Sequence, residues 1–288
     1  PVVYGIVSSD HSLWENNPEF NPGAADPNDQ WQEVSAAAFD AISATYTTVG
    51  GPVQPVVYGI VSSDHSLWEN NPAFLPGAAL DQQWMQVSPG AFVAVSAAIH
   101  IEPAYSNTTM PTLPAAFALT AGDRSLWEQD PYFNPTSGDL NTQWREVSSD
   151  AWASIGTDEY PVGGDAAIHE GSYPLAWGIK AADGSLWDAE ANASAGSSYL
   201  TQFSSDAWSV VDRHFAIRAS DQSLWVANSG NVGLHEASPG TFEDASNALF
   251  TNWVFVVPTD GSLWVDAVDQ NGFISQNWTE LSPSGTMA

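Results

Sequence analysis

The sequence predicts an all-β chain, a six-bladed β-propeller of four-stranded antiparallel blades, and three observations carry that prediction. One phrase is written six times: Asp10-His11-Ser12-Leu13-Trp14 returns as Asp64–Trp68, Asp123–Trp127, Asp183–Trp187, Asp221–Trp225 and Asp260–Trp264. The tryptophans at 14, 68, 127, 187, 225 and 264 stand 54, 59, 60, 38 and 39 residues apart. Self-similarity at such a period marks a repeat architecture. Each copy also follows an apolar run such as Val2–Val7, and an Asp-Gly or Asp-x pair between two β-rich runs is a hairpin signal. Finally, every unit resolves into short β segments with no helical periodicity, and propellers hold roughly four to eight such blades.

The elements follow in order within a unit. The first strand is Phe39–Ser43, echoed at Phe92–Ser96, Trp152–Gly156, Trp208–Asp212 and Phe242–Ser246. The second is Val2–Val7, echoed at Val56–Val61, Ala115–Thr120, Leu175–Lys180, His214–Arg218 and Trp253–Val257. Ser-Leu-Trp and its flank make the third. The fourth is Trp31–Ser35, echoed at Trp84–Ser88, Trp144–Ser148, Leu200–Ser204, Leu234–Ser238 and Trp278–Ser282. The third-strand Trp and the Trp or Leu opening the fourth are expected to wedge neighbouring blades together, since an isolated repeat cannot bury both faces. One domain over residues 1–288 is expected; a β-solenoid or two smaller sandwiches are the alternatives.

Residues 1–18 and 55–72 are identical, as a recent duplication would leave them. Only five copies of the first strand exist, against six of the others. The stretch from Ser282 to Ala288 matches the lead-ins Ser88-Pro89-Gly90-Ala91-Phe92 and Ser238-Pro239-Gly240-Thr241-Phe242. Either the sequence is a piece of a longer protein, or that stretch serves as a stunted first strand beside Val2–Val7.

Composition narrows the function classes. With 34 Asp and Glu against 5 Lys and Arg the formal charge is -29. Phosphate binding needs clustered cations, so nucleic acid is not an expected partner, nor is an anionic membrane surface. No run reaches the ~18 apolar residues that cross a bilayer as a helix. The chain has no Cys, which removes disulfides and thiolate metal sites. Sequons at Asn107, Asn192 and Asn277 fit a secreted or cell-surface location.

The phrase V-x-G-I-x-x-x-D-x-S-L-W, followed by W-x-E-V-S and F-x-A-I-S, resembles the repeat of tectonin and tachylectin-type β-propellers. It is also similar to Asp-His-Ser-Leu-Trp-Glu repeats of large secreted bacterial proteins. The likeness spans almost the whole chain. It implies a lectin-like or protein-binding propeller without catalysis, with sites between adjacent blades.

Candidate chemistry concentrates in the first three units. Long loops join strands three and four at Asn16–Gln30, Asn70–Gln83 and Gln129–Gln143, and share an Asn/Asp-Pro-x-Phe core. Loops of that length in a compact domain are commonly functional. Phe20, Phe74, Tyr132 and Phe133 are the candidate anchors, as loop aromatics often dominate recognition; they could equally tuck beneath their own loops. Glu15, Glu69 and Glu128 follow the Trp, with Asp188 in the fourth unit, while Val226 and Val265 replace them later. A residue lost from the plain units is a binding candidate, though a solvated strand-end acid is the simpler reading. His11 and His65 sit in hairpin turns and read as solvated. No catalytic motif of hydrolase, zincin or P-loop type is present, so no enzyme activity is expected. No cofactor is expected either; Asp26–Asp29 and Ser137–Asn141 are oxygen-rich loops that could hold calcium. The sequence thus points to a recognition or adhesion propeller that takes a glycan or protein partner through the long loops. The alternative is a structural subunit of a surface layer, appendage or larger assembly, homo- or hetero-oligomeric.

Overall fold

The computed structural model describes residues 2–17, 21, 31–48, 53–101, 112–134, 137–158, 175–192, 197–212, 215–227, 234–247, 253–267, 274–275 and 277–282. The fold is all-β, the six-bladed β-propeller class, with one antiparallel sheet per repeat. Blade one holds β1 (Val3–Ile6), β2 (Leu13–Asn16) and β3 (Trp31–Ser35). Blade two holds β4 (Phe39–Thr47), β5 (Gln54–Val61), β6 (Leu67–Asn70) and β7 (Trp84–Ser88). Blade three holds β8 (Phe92–Ile101), β9 (Thr112–Thr120), β10 (Leu126–Gln129) and β11 (Trp144–Ser148). Blade four holds β12 (Trp152–Asp158), β13 (Leu175–Lys180), β14 (Leu186–Asn192) and β15 (Ser197–Ser204). Blade five holds β16 (Trp208–Asp212), β17 (Phe215–Arg218), β18 (Leu224–Ala227) and β19 (Leu234–Ser238). Blade six holds β20 (Phe242–Asn247), β21 (Trp253–Pro258), β22 (Leu263–Ala267) and β23 (Thr279–Ser282).

Two compact units divide the chain: Pro1–Glu146 with Glu170–Ser172, and Val147–His169 with Tyr173–Ala288. The first carries blades one to three and the second blades four to six. Blades two to six hold four strands each, and the described residues of blade one hold three, in the order β1-β2-β3.

The repeated phrase is a self-contained hairpin. Its second residue takes a positive φ in every copy: His11 61°, His65 57°, Arg124 60°, Gly184 74°, Gln222 58° and Gly261 75°. That conformation tightens the turn and frees the preceding Asp side chain to bond forward. In all six copies the Ser N–H donates to the Asp Oδ1, at 2.9–3.1 Å. The Ser Oγ then accepts the indole N–H of the Trp two residues on, at 2.7–3.0 Å. Asp caps Ser and Ser holds Trp, while Leu points into the core; Leu13, Leu67, Leu126 and Leu224 are all fully buried. Ser66→Ala leaves both the Asp64 carboxylate and the Trp68 indole short of a partner. It should lower stability by about 1–2 kcal/mol, read as a shift of the urea midpoint at constant slope.

The same turn also starts the next blade. The carbonyls of His11, His65, Gly184 and Gln222 each accept the backbone N–H of the following first-strand aromatic, Phe39, Phe92, Trp208 and Phe242, at 2.9 Å. Blades of one unit then share their cores. Val56, Tyr58, Ile60, Leu67 and Val87 of blade two pack with Phe92, Ala97, Ala116 and Ala118 of blade three. In the second unit Phe215, Ile217, Leu224 and Val226 pack with Phe242, Ala245, Val254 and Val256.

Tryptophans of both strands reach the neighbouring blade. The fourth-strand indoles do bridge blades, Trp84 donating to the Val34 carbonyl at 3.4 Å and Trp144 to the Val87 carbonyl at 3.1 Å. Each also stacks on the first-strand aromatic of its own blade, with centroids 5.2 Å apart for Phe39–Trp84 and 5.3 Å for Phe92–Trp144. The third-strand tryptophans are half-buried and anchored to their own hairpins, and in the second unit Trp225 and Trp264 also pack against cores that span two neighbouring blades.

Candidate functional site

The acids that follow the repeated Trp are not solvated. Glu15 and Glu69 are 2% exposed and Glu128 is fully buried, which corrects the expectation of strand-end acids in water. Side chains alternate along a strand, so Leu13 and Glu15, or Leu67 and Glu69, share the core face while the Trp between them takes the other. Each acid faces the second-strand residue directly opposite. Those pairs are Tyr4↔Glu15, Tyr58↔Glu69, Phe117↔Glu128 and Trp177↔Asp188, then Phe215↔Val226 and Phe255↔Val265. Where the partner is Tyr, its hydroxyl hydrogen-bonds the carboxyl. A buried carboxylate is costly, and only neutral donors serve these two. Burial pushes Glu15 up from its ordinary value, and pushes Glu69 up to about 7. Asp188, half-buried, is raised for the same reason.

These polar groups are the feet of the long loops. Asn71 Nδ2 donates to Glu69 Oε1 at 2.8 Å and its Oδ1 accepts the Ala73 N–H at 2.9 Å. Asn70 Nδ2 donates to the Leu80 carbonyl at 2.6 Å, and Gln83 Nε2 to the Ala78 carbonyl at 2.9 Å. In blade three Gln129 Nε2 donates to Gln143 Oε1 at 2.9 Å, and Gln143 Nε2 to the Ser137 carbonyl at 3.2 Å. Asp130 is fully buried and meets His100 Nδ1, itself 1% exposed, at 2.7 Å. Both loops carry short 3-10 turns, at Leu80–Gln82, Pro131–Phe133 and Leu140–Thr142. Blades five and six replace the acid by Val, and blade four keeps Asp188 while joining β14 to β15 through residues 193–196, so the buried acid does not require a long loop.

The loop aromatics divide. Phe74 is half-buried within the turn that Asn71 closes, its N–H donating to the Asn71 carbonyl at 3.0 Å. Phe133 is half-buried beneath the Arg145 guanidinium, 4.1 Å above its ring. Neither is a free anchor; the neighbouring Leu75 is 50% exposed and leads the face of its loop. Phe20 lies outside the described residues, as does the side chain of Tyr132.

Asp139, in the oxygen-rich segment Ser137–Asn141, spends its carboxylate on the Asn141 N–H at 3.1 Å and Nδ2 at 2.9 Å, capping a 3-10 turn. The segment Asp26–Asp29 lies outside the described residues. Among the described residues, no three His, Asp or Glu side chains come together as a metal-ligand set. None of their helices is long and apolar enough to cross a membrane.

One feature escaped the sequence reading. An open groove of 370 Å³ on blade one is lined by Gly5, Ile6, Val7, Trp14 and Trp31. It lies where blade two places the Phe39 ring over Gly59. The duplicated segment makes the difference plain: Val56 is fully buried, and its twin Val2 is 37% exposed.

No family profile matches the chain, and no curated protein matches it either. Among solved structures it is similar to human WBSCR16, at 8% identity and a TM-score of 0.45 over 75% of this chain; it spans 60% of that protein's length. A Bacteroides fragilis protein described as a candidate 6-phosphogluconolactonase aligns over 98% of this chain and 95% of its own, at 11% identity and a TM-score of 0.41.

Proposed function

We propose that this chain is a non-catalytic recognition propeller of tectonin type, lectin-like and displayed outside the cell. In this reading it meets a glycan or protein partner through the loops of blades two and three, residues 71–83 and 130–143. The observation that supports it most is the buried polar framework beneath those loops. Buried amides and carboxyls cost stability unless every one is satisfied, and here they are spent on holding surface loops in shape. Rigid loops bind with less ordering entropy, which gives such an outlay a purpose. The raised pKa of Glu69 would suit a general acid. Its carboxyl, however, is sealed from solvent and bonded to Asn71 and Tyr58, a positioning arrangement.

The test is a glycan array run beside a screen of extracellular protein ligands, with Leu75→Asp as the loop variant. Binding that falls about tenfold or more in Leu75→Asp, with unchanged stability, fits the reading. Binding that ignores the loop changes would overturn it.

A second reading, a subunit of a larger surface assembly, draws on the uncovered strip of blade one. Val2, Val7 and Trp31 are each 37% exposed around the groove. Sedimentation of the chain at micromolar concentration distinguishes the two, since this reading requires self-association that Trp31→Ser abolishes.

A further inference from the structure

The buried polar groups between blades two and three form a line that is one proton short of satisfying every acceptor whenever Glu69 is ionised. Asn71 donates to Glu69, and Tyr58 on β5 lies between the Glu69 carboxyl and Gln129 Oε1, 3.4 Å from the latter. Gln129 continues the line to Gln143, and Gln143 to the Ser137 carbonyl inside the loop 130–143. A phenol has a single O–H, so Tyr58 can donate to Glu69 or to Gln129, never both.

We propose that Glu69 and Tyr58 form a proton-operated switch that couples acidity to the order of the loop 130–143. With Glu69 neutral, its O–H donates to Tyr58 Oη, and the Tyr58 O–H donates onward to Gln129. Every group from Asn71 to Ser137 then has its partner. With Glu69 ionised, Tyr58 turns its proton to the carboxylate, and Gln129 Oε1, in a residue 1% exposed, loses that donor. The foot of the loop loosens, while the Asn71–Glu69 bond under the loop 71–83 becomes charge-assisted and tightens. One loop gains what the other loses.

The switch works near neutral pH, because burial holds Glu69 at about 7. The ionisable groups around it are few. Tyr58 is raised well above its ordinary value by burial, then by Glu69 and Asp130, and so stays protonated. Asp130, on the loop after β10, is paired with His100 of β8. Glu128 of β10 faces Phe117 within its own blade, and Asp81 stands exposed on the loop 71–83. No Lys or Arg contributes to the Glu69 shift.

Hydrogen exchange of the full chain followed by mass spectrometry from pH 5.5 to 8.5, corrected for intrinsic rates, tests the switch. Protection in 130–143 should fall about fivefold between pH 6 and 8, the weight of one neutral hydrogen bond, while 71–83 holds or gains. Glu69→Gln can donate its amide to Tyr58 as the neutral acid does, so it should keep 130–143 protected at every pH. Tyr58→Phe should leave that loop weakly protected and insensitive to pH; it carries the test alone should Glu69→Gln not fold. Constant protection of 130–143 in the unaltered protein, loss in both loops together, or a pH response that survives Glu69→Gln would each overturn the proposal. Its biological consequence rests on the loops being the contact surface. The exchange experiment reads the loops themselves, so a failure of partner binding leaves it standing.

Discussion

Gly59→Ala lowers the stability of the first unit by about 2–3 kcal/mol, and Gly5→Ala leaves it within about 1 kcal/mol of the parent. The two glycines sit in identical stretches, Val2–Trp14 and Val56–Trp68, so local propensity cancels between them. What differs is the neighbour. A methyl on Gly59 would stand 2.6 Å from two carbons of the Phe39 ring, which is buried and stacked on Trp84 and has nowhere to retreat. A methyl on Gly5 would meet only Trp31, at 3.5 Å, an ordinary contact with a ring that is partly in solvent. Alanine also restricts the unfolded chain, which offsets a few tenths of a kcal/mol at both sites. Urea titrations of the two variants decide it. Equal midpoints would mean that Phe39 does not lie over Gly59 and that the first strand does not pack on the second in this way.

That pair of glycines also measures how far the sequence could be read. Strand order, the Asp-x-Ser turn and the start of each first strand were legible, because period, turn chemistry and the Phe or Trp lead repeat in phase. That blade one shows three strands among the described residues was legible too, as five lead aromatics against six hairpins. The groove on that blade was not, since Trp31 reads the same as Trp84 until Phe39 is seen to fill one site and not the other. The burial of Glu15, Glu69 and Glu128 was open to a stricter reading. Leu and Glu two apart must share a face, and a Leu repeated in all six units belongs in the core. Its purpose needed the register, because only the pairing Tyr58↔Glu69 shows a phenol opposite the acid. The roles of Gln129 and Gln143 had no local signal, for their bond spans a loop whose course the sequence does not dictate.

Stability of the first unit declines as pH rises from about 5 to 8, by about 3 kcal/mol, and Glu69→Gln removes most of that decline. Glu69 lies at about 7 in the folded chain against an ordinary 4.5, so folding retains its proton. The folded state binds more protons than the unfolded between those values, and stability must fall with rising pH across that window. Below about 4.5 both states are protonated and the penalty vanishes; above 7 it is complete. Glu15, raised by burial, adds a smaller slope of the same sign that survives in the variant. The hairpin aspartates act oppositely. Asp10 and Asp64 are held below the ordinary carboxylate range by bonds from their Ser, and Asp123 is held at about 2, chiefly by Thr120. Their contribution is present above the ordinary value of 3.8 and lost as acid protonates them. The two trends cross between about pH 4 and 5, where stability should peak, close to the sequence isoelectric point of 4.1. Denaturation at pH 4.5, 6, 7 and 8 separates the contributions. Parallel profiles for the parent and Glu69→Gln would show that the carboxyl is solvated, and that the framework under the loops is not sealed.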